Sequence, residues 1–97
     1  MDAWVLRVVK IRPEAKDTAT IFLQRADGQP LDYRAGQFLT FLFSFQNRQI
    51  RRSYSFSSTP GIDTTASITV KRVVNGEISR YLLDHLKEGD ELLALSP

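Results

Sequence analysis

The residues of this 97-residue chain with the clearest chemical potential lie in a single run, Arg51-Arg52-Ser53-Tyr54-Ser55-Phe56-Ser57-Ser58. In a strand, the alternation of side chains places Arg52, Tyr54 and Phe56 on one face, so a cation lies between aromatic neighbours. If it were buried without a partner, this cation would cost about 3–5 kcal/mol, so Arg52 requires either an acidic side chain or a bound anion. The residues alone leave both alternatives open.

A second group that could bind an anion is Asn75-Gly76-Glu77-Ile78-Ser79, at the start of the one helix that the sequence predicts. The first N–H groups of a helix lack backbone partners and carry a partial positive charge, which attracts phosphates. Gly76 would let a phosphate approach closely. The alternative is an ordinary helix start, in which Asn75 or Gly76 caps the helix and Glu77 complements its dipole.

The elements that must position these residues are mostly strands. Alternating or nearly continuous apolar patterns predict six of them, over Trp4–Ile11, Thr18–Leu23, Gln37–Phe45, Ile50–Ser57, Ser67–Val74 and Glu91–Leu95. The first pattern places Leu6 and Val8 on one face and Ile11 on the other, and a turn at Pro13 follows it. Because Gln37–Phe45 is almost continuously apolar, we expect it to be the central strand, with both faces covered.

One segment predicts a helix, because its apolar residues recur at helical spacing. They are Ile78, Tyr81, Leu82 and Leu86, and we expect the helix to end at Lys87 and Gly89. The fold class is therefore all-β: a six-stranded antiparallel Greek-key barrel with one short helix between strands five and six. We expect His85 on the surface of the helix and Trp4 in the core or at its rim.

The composition excludes several functional classes. Thirteen Lys and Arg residues against eleven Asp and Glu residues give a net charge of +2, which is too small to indicate DNA or membrane binding. With no cysteine and one histidine, the chain cannot form disulfides, thiolate nucleophiles, iron–sulfur ligands or His-rich metal sites, so no metal is expected. The sequence shows no signal peptide and no apolar run of spanning length, and we predict a cytoplasmic location.

Taken together, the motifs resemble those of the FAD-binding domain of the ferredoxin reductase group of flavoprotein oxidoreductases. Arg52–Ser58 matches the RxYSxSS signature of that group at every fixed position. Tyr33–Phe38 is similar to the xGQ[FY] motif before the third strand, and Gly76-x-x-Ser79, after Val70-Lys71-Arg72, is similar to the later GxxS element. Leu86–Pro97 resembles the close of the domain, so the likeness covers nearly the whole chain.

The resemblance implies a role for each candidate residue. Arg52 would pair with the flavin phosphates, Tyr54 would stack on the isoalloxazine, and Ser55, the catalytic candidate, would place its hydroxyl near the reactive ring nitrogen. Gly76 and Ser79 would complete the phosphate site, and the backbone of residues 71–73 would bind the pyrimidine edge. The cofactor-binding set so predicted is Arg52, Tyr54, Ser55, Phe56, Ser57, Lys71, Arg72, Val73, Gly76, Ile78 and Ser79.

The implied function is electron transfer. Residues 1–97 would bind FAD, with FMN as the alternative, in an oxidoreductase that passes electrons from NAD(P)H to an acceptor such as ferredoxin, flavodoxin or an iron–sulfur centre. The chain has no glycine-rich phosphate loop between a strand and a helix, so the NAD(P)H-binding domain of the parent chain is expected to be absent. If Met1 is the native start, any further redox centre would follow Pro97.

A different class of function, a non-catalytic barrel, is the alternative. Arg51, Arg52, Tyr54 and Phe56 would then present a basic, aromatic strand to single-stranded nucleic acid, or the barrel would be a docking module. This hypothesis leaves Gly76 without a role, and the small net charge argues against it. We therefore predict neither a nucleic-acid nor a membrane partner.

Overall fold

A computed structural model of the chain describes residues 3–73 and 76–97, apart from the side chains of Phe45 and Glu77. The elements are β1 (Ala3–Ala15), β2 (Thr18–Arg25), β3 (Phe38–Phe45), β4 (Arg48–Ser55), β5 (Ala66–Lys71), α1 (Glu77–His85) and β6 (Glu91–Leu95). The all-β prediction, with one short helix between the fifth and sixth strands, is confirmed. None of the helical structure in the described ranges is long and apolar enough to cross a bilayer.

The six strands form one antiparallel sheet in the order β4-β3-β6-β1-β2-β5. The sheet curls until its two edge strands approach each other, where Phe56 bridges to Ile68 and the Ser57 N–H donates to the Ser67 carbonyl at 2.8 Å. The fold is therefore barrel-like, as predicted, but in the described part of the chain no continuous ladder joins β4 to β5. The edge of β4 that faces β5 is left without strand pairing from Arg48 to Ser55.

The core lies inside this curled sheet and is closed by α1. Strand residues at alternate positions supply most of it, including Leu6, Val8, Ile21, Leu23, Leu39, Phe41, Ile68, Val70, Leu92 and Ala94. Ile78 and Leu82 of α1 are buried, Leu86 just after the helix is buried too, and Tyr81 packs against the core, so the predicted apolar stripe faces inward. Full burial of a side chain of this size contributes about 1.5–3 kcal/mol, so the stripe fixes α1 against the barrel.

The helix ends earlier than predicted. Its last residue is His85, and Leu86 already has an extended conformation. Gly89 instead occupies the following turn, with a φ of +92°, and its N–H donates to the Val8 carbonyl at 2.8 Å. The exposed His85 and the half-buried Trp4 at the core rim agree with their predictions.

Two features of β1 differ from the prediction. The strand runs through Pro13 to Ala15, and the turn lies at Lys16 and Asp17. Proline is tolerated there because β6 pairs with β1 only from Ala3 to Arg7, so no ladder on that side requires a donor at position 13.

A register shift lies between Val8, which pairs with Leu23, and Lys10, which pairs with Phe22. A bulge of this kind reverses which face the following side chains occupy. Ile11, predicted on the face opposite Leu6 and Val8, therefore packs against the core, and that prediction was wrong.

The apolar strand β3 is interior but not central, since it lies between β4 and β6. Its inner face is buried through Leu39, Phe41 and Phe43, whereas Phe38 on its outer face is 55% exposed. The expectation that both faces are covered is therefore wrong at Phe38. In the hairpin to β4, Gln46 and Asn47 both have positive φ, as in a two-residue type I′ turn.

The other strand boundaries differ from the predictions by a few residues. β4 begins and ends two residues before the predicted segment, and β5 ends at Lys71. The predicted end of β5, Val74, lies outside the described residues, whereas the prediction for β6 is exact.

Candidate functional site

The candidate site starts on β4, whose two faces differ. In the pairing with β3, Tyr54 lies opposite the buried Leu39 and Arg52 lies opposite the buried Phe41, so both occupy the inner face of the sheet. Ser55, the neighbour of Tyr54, belongs to the outer face. A planar ligand can therefore meet both Tyr54 and Ser55 only across the unpaired edge of β4.

Arg52 is exposed, and its charge has no carboxylate partner among the described side chains. Its Nη1 donates to the Arg51 carbonyl at 2.7 Å, and none of the ion pairs formed by residues 3–73 and 76–97 includes it. The alternative of a structural ion pair is therefore wrong for the described chain. Because the side chain is exposed, burial does not force an anion onto it either. The guanidinium is available to an external ligand.

Tyr54 supplies an aromatic surface beside this cation. The residue is half-buried, and its ring centroid lies 6.1 Å from that of Phe41 with the planes tilted by 56°. Burial raises the pKa of the Tyr54 phenol, and the neighbouring charge of Arg52 opposes that shift. The phenol is therefore neutral across the physiological range, and the ring is a neutral platform with one part fixed on the core.

Tyr33 and Ser58 lie in the sequence motifs without an assigned role, and in the structure they support the end of the β4 segment. The Tyr33 ring stacks on Phe56 with centroids 3.9 Å apart, and its hydroxyl is 2.7 Å from Ser58 Oγ. Ser58 Oγ in turn accepts a bond from the Ser67 N–H at 2.9 Å. Phe56, predicted to bind the cofactor, is only 8% exposed and belongs to the core.

Residues 34–37, just before β3, also bind the segment that follows β4. Gln37 accepts the Phe56 N–H on its carbonyl at 3.1 Å, and its side-chain Oε1 accepts the Arg34 N–H at 2.7 Å. Gly36 forms the turn between them with a φ of +85°, a conformation that favours glycine. The Tyr33–Phe38 motif is thus a support for β4. Ser57 is exposed and its hydroxyl contacts that of Ser67 at 3.0 Å.

At the end of β5, Arg72 differs sharply from Arg52. Its two terminal nitrogens both bind Asp84 of α1, one of them at 3.3 Å, and its Nε lies 3.5 Å from Asp17. The hydrogen bonds from Arg72 lower the pKa of Asp84, and Asp84 raises the pKa of Arg72. The Arg72 side chain is therefore bound within the protein, whereas the flavin contact predicted for residues 71–73 is made by the backbone.

The backbone after Arg72 is also largely occupied. The Arg72 N–H donates to the Asp17 carbonyl at 2.7 Å, and the Val73 N–H donates to Ser79 Oγ at 3.1 Å. The Ser79 hydroxyl donates to the Gly76 carbonyl at 3.2 Å, and the Gly76 N–H donates to the Val73 carbonyl at 2.8 Å. Two of the N–H groups predicted for the pyrimidine edge thus already have partners. The exposed Lys71 precedes them.

The first turn of α1 has no side-chain cap from its N-cap residue. Gly76 is its N-cap residue and has no side chain with which to cap, and the N–H groups of the next residues have no intrahelical acceptors. A Cβ built on Gly76 would lie 2.8 Å from Ser79 Oγ and 3.0 Å from the Val73 carbonyl, so only glycine fits without a shift. The side chains of Ile78 and Ser79 are buried, at 2% and 6% exposure, so the backbone alone can meet a ligand there. Capping by Asn75 falls outside the described residues.

The two edge strands leave a gap where, in the described chain, β4 and β5 form no ladder. Continuing the antiparallel register of the Phe56–Ile68 bridge along this gap pairs Tyr54 with Val70 and Arg52 with Arg72. The next element after β5 is α1, which starts at Glu77. The register therefore indicates that the cation and the aromatic ring of β4 border the end of β5 that leads to α1.

The comparison with known families decides the kind of ligand. A family model described as "Oxidoreductase FAD-binding domain" matches residues 6–97. The chain belongs to this family. The resemblance seen in the motifs is confirmed, and the cofactor of this FAD-binding domain is FAD.

Individual relatives agree with the family. The glycine betaine monooxygenase reductase subunit of Pseudomonas aeruginosa is 40% identical over 95 residues, which cover 96% of this chain and 25% of that protein. The flavohemoprotein of the same species is 34% identical over 92 residues, covering 94% and 23%. The flavohem-like FAD/NAD-binding domain of nitric oxide dioxygenase from Vibrio cholerae superposes with a TM-score of 0.82 and 27% identity, covering 100% of this chain and 44% of that one. The FAD-binding domain spans about a quarter of the curated relatives it matches.

Two features of this FAD-binding domain suit the two chemical parts of FAD, its planar ring and its pyrophosphate. A neutral, half-buried tyrosine suits a planar ring. A guanidinium without a described carboxylate partner and a helix that starts at a glycine suit a pyrophosphate. Asp84 and Asp17, which the sequence motifs do not indicate, bind the side chain of Arg72. No local signal identifies them, because both partners are distant in sequence.

Proposed function

We propose that this FAD-binding domain holds FAD in the gap between β4 and β5, as part of an NAD(P)H-dependent oxidoreductase that passes electrons to an acceptor protein or domain. The observation that carries the proposal is Arg52, which has no ion-pair partner among the described side chains, beside the half-buried ring of Tyr54 on a strand edge without a described ladder. The family match supports FAD as the ligand.

The phosphates of FAD would be bound by Arg52 and by the first N–H groups of α1. A charge-assisted hydrogen bond contributes about 1.5–3 kcal/mol and a helix start about 1 kcal/mol. The absence of an internal carboxylate partner supports this role for Arg52, since no ion pair of the described chain has to break before a phosphate binds.

The flavin ring would stack on Tyr54 and reach across the strand edge to Ser55. When bound, the flavin supplies the chemistry, accepting a hydride and releasing electrons. Tyr54 would fix the plane of the ring, because the tyrosine itself is fixed against Phe41. The Ser55 hydroxyl can both donate and accept, so it can hold a hydrogen bond to a ring nitrogen whether or not that nitrogen carries a proton.

The nicotinamide site and the acceptor would belong to other parts of the working protein. The relative from Pseudomonas aeruginosa is a reductase subunit of a monooxygenase, and this chain matches about a quarter of its length. We therefore propose an NAD(P)H-binding domain in the parent chain and an oxygenase component, ferredoxin, flavodoxin or iron–sulfur centre as the acceptor. A cytoplasmic location stays a prediction.

Titration of the chain tests the proposal. The phosphate, helix and stacking contributions sum to about 6 kcal/mol, so we expect FAD to bind with a Kd between micromolar and millimolar. Flavin fluorescence should change on binding, FMN should bind less tightly, riboflavin least, and a single-stranded oligonucleotide should not bind. Salt-dependent binding of the oligonucleotide without binding of any flavin would instead favour the nucleic-acid hypothesis.

A further inference from the structure

We infer that Arg72 and Ser79 are positioning residues: their side chains hold the start of α1 in place for the phosphates and do not themselves bind FAD. The inference rests on the proposed function for its ligand. It differs from the motif-based expectation, in which Ser79 and Arg72 both belong to the cofactor contacts. The geometry of their hydrogen bonds carries it.

Arg72 links three separate parts of the chain. It joins the end of β5 to Asp84 near the end of α1 through two hydrogen bonds, and to Asp17 in the β1–β2 turn through its Nε and its own N–H. A fork of two bonds to one carboxylate fixes direction as well as distance. Arg72 thus sets how α1 lies relative to β5.

Ser79 acts at the other end of the helix. Its hydroxyl is buried and has two partners, accepting the Val73 N–H and donating to the Gly76 carbonyl. Together with the bond from the Gly76 N–H to the Val73 carbonyl, these bonds join Val73 to the first turn of α1. A hydroxyl engaged in this way has no proton left for a phosphate.

Arg72 and Ser79 both fix the position of the start of α1. α1 can offer its first N–H groups to an anion only if its start keeps one position beside the β4–β5 gap. Arg72 fixes the helix from its C-terminal end and Ser79 from its first turn. Loss of either anchor should weaken FAD binding without removing a contact to FAD.

The substitution Asp84→Asn separates the two possible roles of Arg72. If Arg72 binds phosphate, releasing it from Asp84 should tighten FAD binding. If Arg72 positions α1, the same substitution should raise the Kd about threefold. Asp27→Asn is the matched control, because Asp27 forms an equivalent ion pair with Arg25 in the turn after β2, 2.6 Å between its closest atoms. Equal or tighter FAD binding by Asp84→Asn than by Asp27→Asn would overturn the inference for Arg72.

The role of Ser79 has a readout that needs no flavin. In Ser79→Ala the Val73 N–H loses its acceptor, so its hydrogen exchange in the flavin-free chain should accelerate at least tenfold. The amide of Arg72, which donates to Asp17, is the internal control. Unchanged protection of Val73 would overturn the inference for Ser79. A chain that binds no FAD would overturn the proposed function, while the exchange measurement would still decide this geometry.

A double-mutant cycle tests the same contact through packing. Gly76→Ala places a Cβ 2.8 Å from Ser79 Oγ, and Ser79→Ala removes that oxygen. The loss of thermal midpoint caused by Gly76→Ala should therefore be smaller in the Ser79→Ala background. Additive losses would show that the hydroxyl does not lie beneath Gly76 and would contradict the inference.

Discussion

Two arginines of the candidate region, one on β4 and one just after β5, are in opposite states. Arg52 on β4 is exposed and has no carboxylate partner among the described residues, whereas Arg72 at the end of β5 is shared between Asp84 and Asp17. Both lie in motifs that resemble those of the FAD-binding family, and the motifs predict a cofactor contact at both. The difference shows that the partners of a guanidinium, more than its place in a motif, decide whether it is available to a ligand.

The same contrast divides the rest of the site. On β4, Tyr54 and Arg52 present open surface supported from behind by Phe41. On the α1 side, the side chains of Ser79 and Ile78 are buried, and only backbone donors are left. The β4 side would thus bind FAD through side chains and the α1 side through the backbone. Substitutions on the two sides should therefore differ in kind.

The largest effect is expected from Arg52→Ala. Loss of a charge-assisted contact of about 1.5–3 kcal/mol should raise the Kd for FAD by about ten- to a hundredfold and make binding less sensitive to salt. The thermal midpoint should not change, because the side chain is exposed. Arg51→Ala, on the outer face of β4, is the control. Equal losses from the two variants in fluorescence titrations would remove Arg52 from the phosphate site.

Replacement of the ring platform should have the next largest effect. Tyr54→Ala should weaken FAD binding about tenfold through lost stacking, and should also lower stability by about 1 kcal/mol because the ring is half-buried. Tyr54→Phe keeps the ring and should retain both properties. Flavin fluorescence and thermal unfolding measure the two effects. A Phe variant as weak as the Ala variant would show that the hydroxyl, and not the ring, binds the flavin.

A smaller effect is expected where the structure supports β4 from inside. Tyr33→Phe removes the hydroxyl that contacts Ser58 and should lower the free energy of unfolding by about 1 kcal/mol. Stacking on Phe56 should survive, so FAD affinity should fall no more than about twofold. Tyr81→Phe, at a half-buried tyrosine whose described contacts are made by its ring, is the control. Chemical denaturation gives the comparison, and an affinity loss without a stability loss would place Tyr33 in the ligand site.

The smallest expected effect is a change in how the thermal midpoint depends on pH. The pKa of Asp84 is lowered in the folded chain, mainly by its hydrogen bonds to Arg72. A lowered folded pKa gives stability that is present above the unfolded pKa and is lost as pH falls through the folded one. The thermal midpoint of the chain should therefore drop more steeply below about pH 4 than that of Asp84→Asn. Parallel curves would contradict the ion pair. Asp27 and Glu14, whose pKa values are also lowered, should leave some acid dependence in the variant.

Sequence patterns predicted most of this fold because its strands alternate regularly and its helix has one apolar stripe. They failed where the cause is not local. The bulge after Val8 reversed the face of Ile11, and Pro13 stayed in β1 because β6 pairs with only the first part of that strand. Neither the extra residue of a bulge nor the length of a partner strand is visible in the pattern.

The candidate site shows the same limit. Arg52 and Tyr54 lie on one face of β4, as alternation requires. The partners of Arg72 come from β1–β2 and from α1, and the Ser79 hydroxyl turns back to Val73, so both depend on contacts that form only in the folded chain. The motifs could indicate which part of the chain binds the ligand. They could not separate residues that contact the ligand from residues that hold the contacting residues in place.

A map of backbone amide chemical shifts, recorded as FAD is added to the chain, tests whether β4 and α1 bind one ligand. We expect the amides of Arg52 and Tyr54 on β4 and of Ile78 and Ser79 in α1 to shift together, with one saturation curve. The outer face of β2, around Phe22, should not respond. Shifts confined to β4, with the first turn of α1 unchanged at saturation, would show that the two sides do not meet on one ligand and would contradict a shared FAD site.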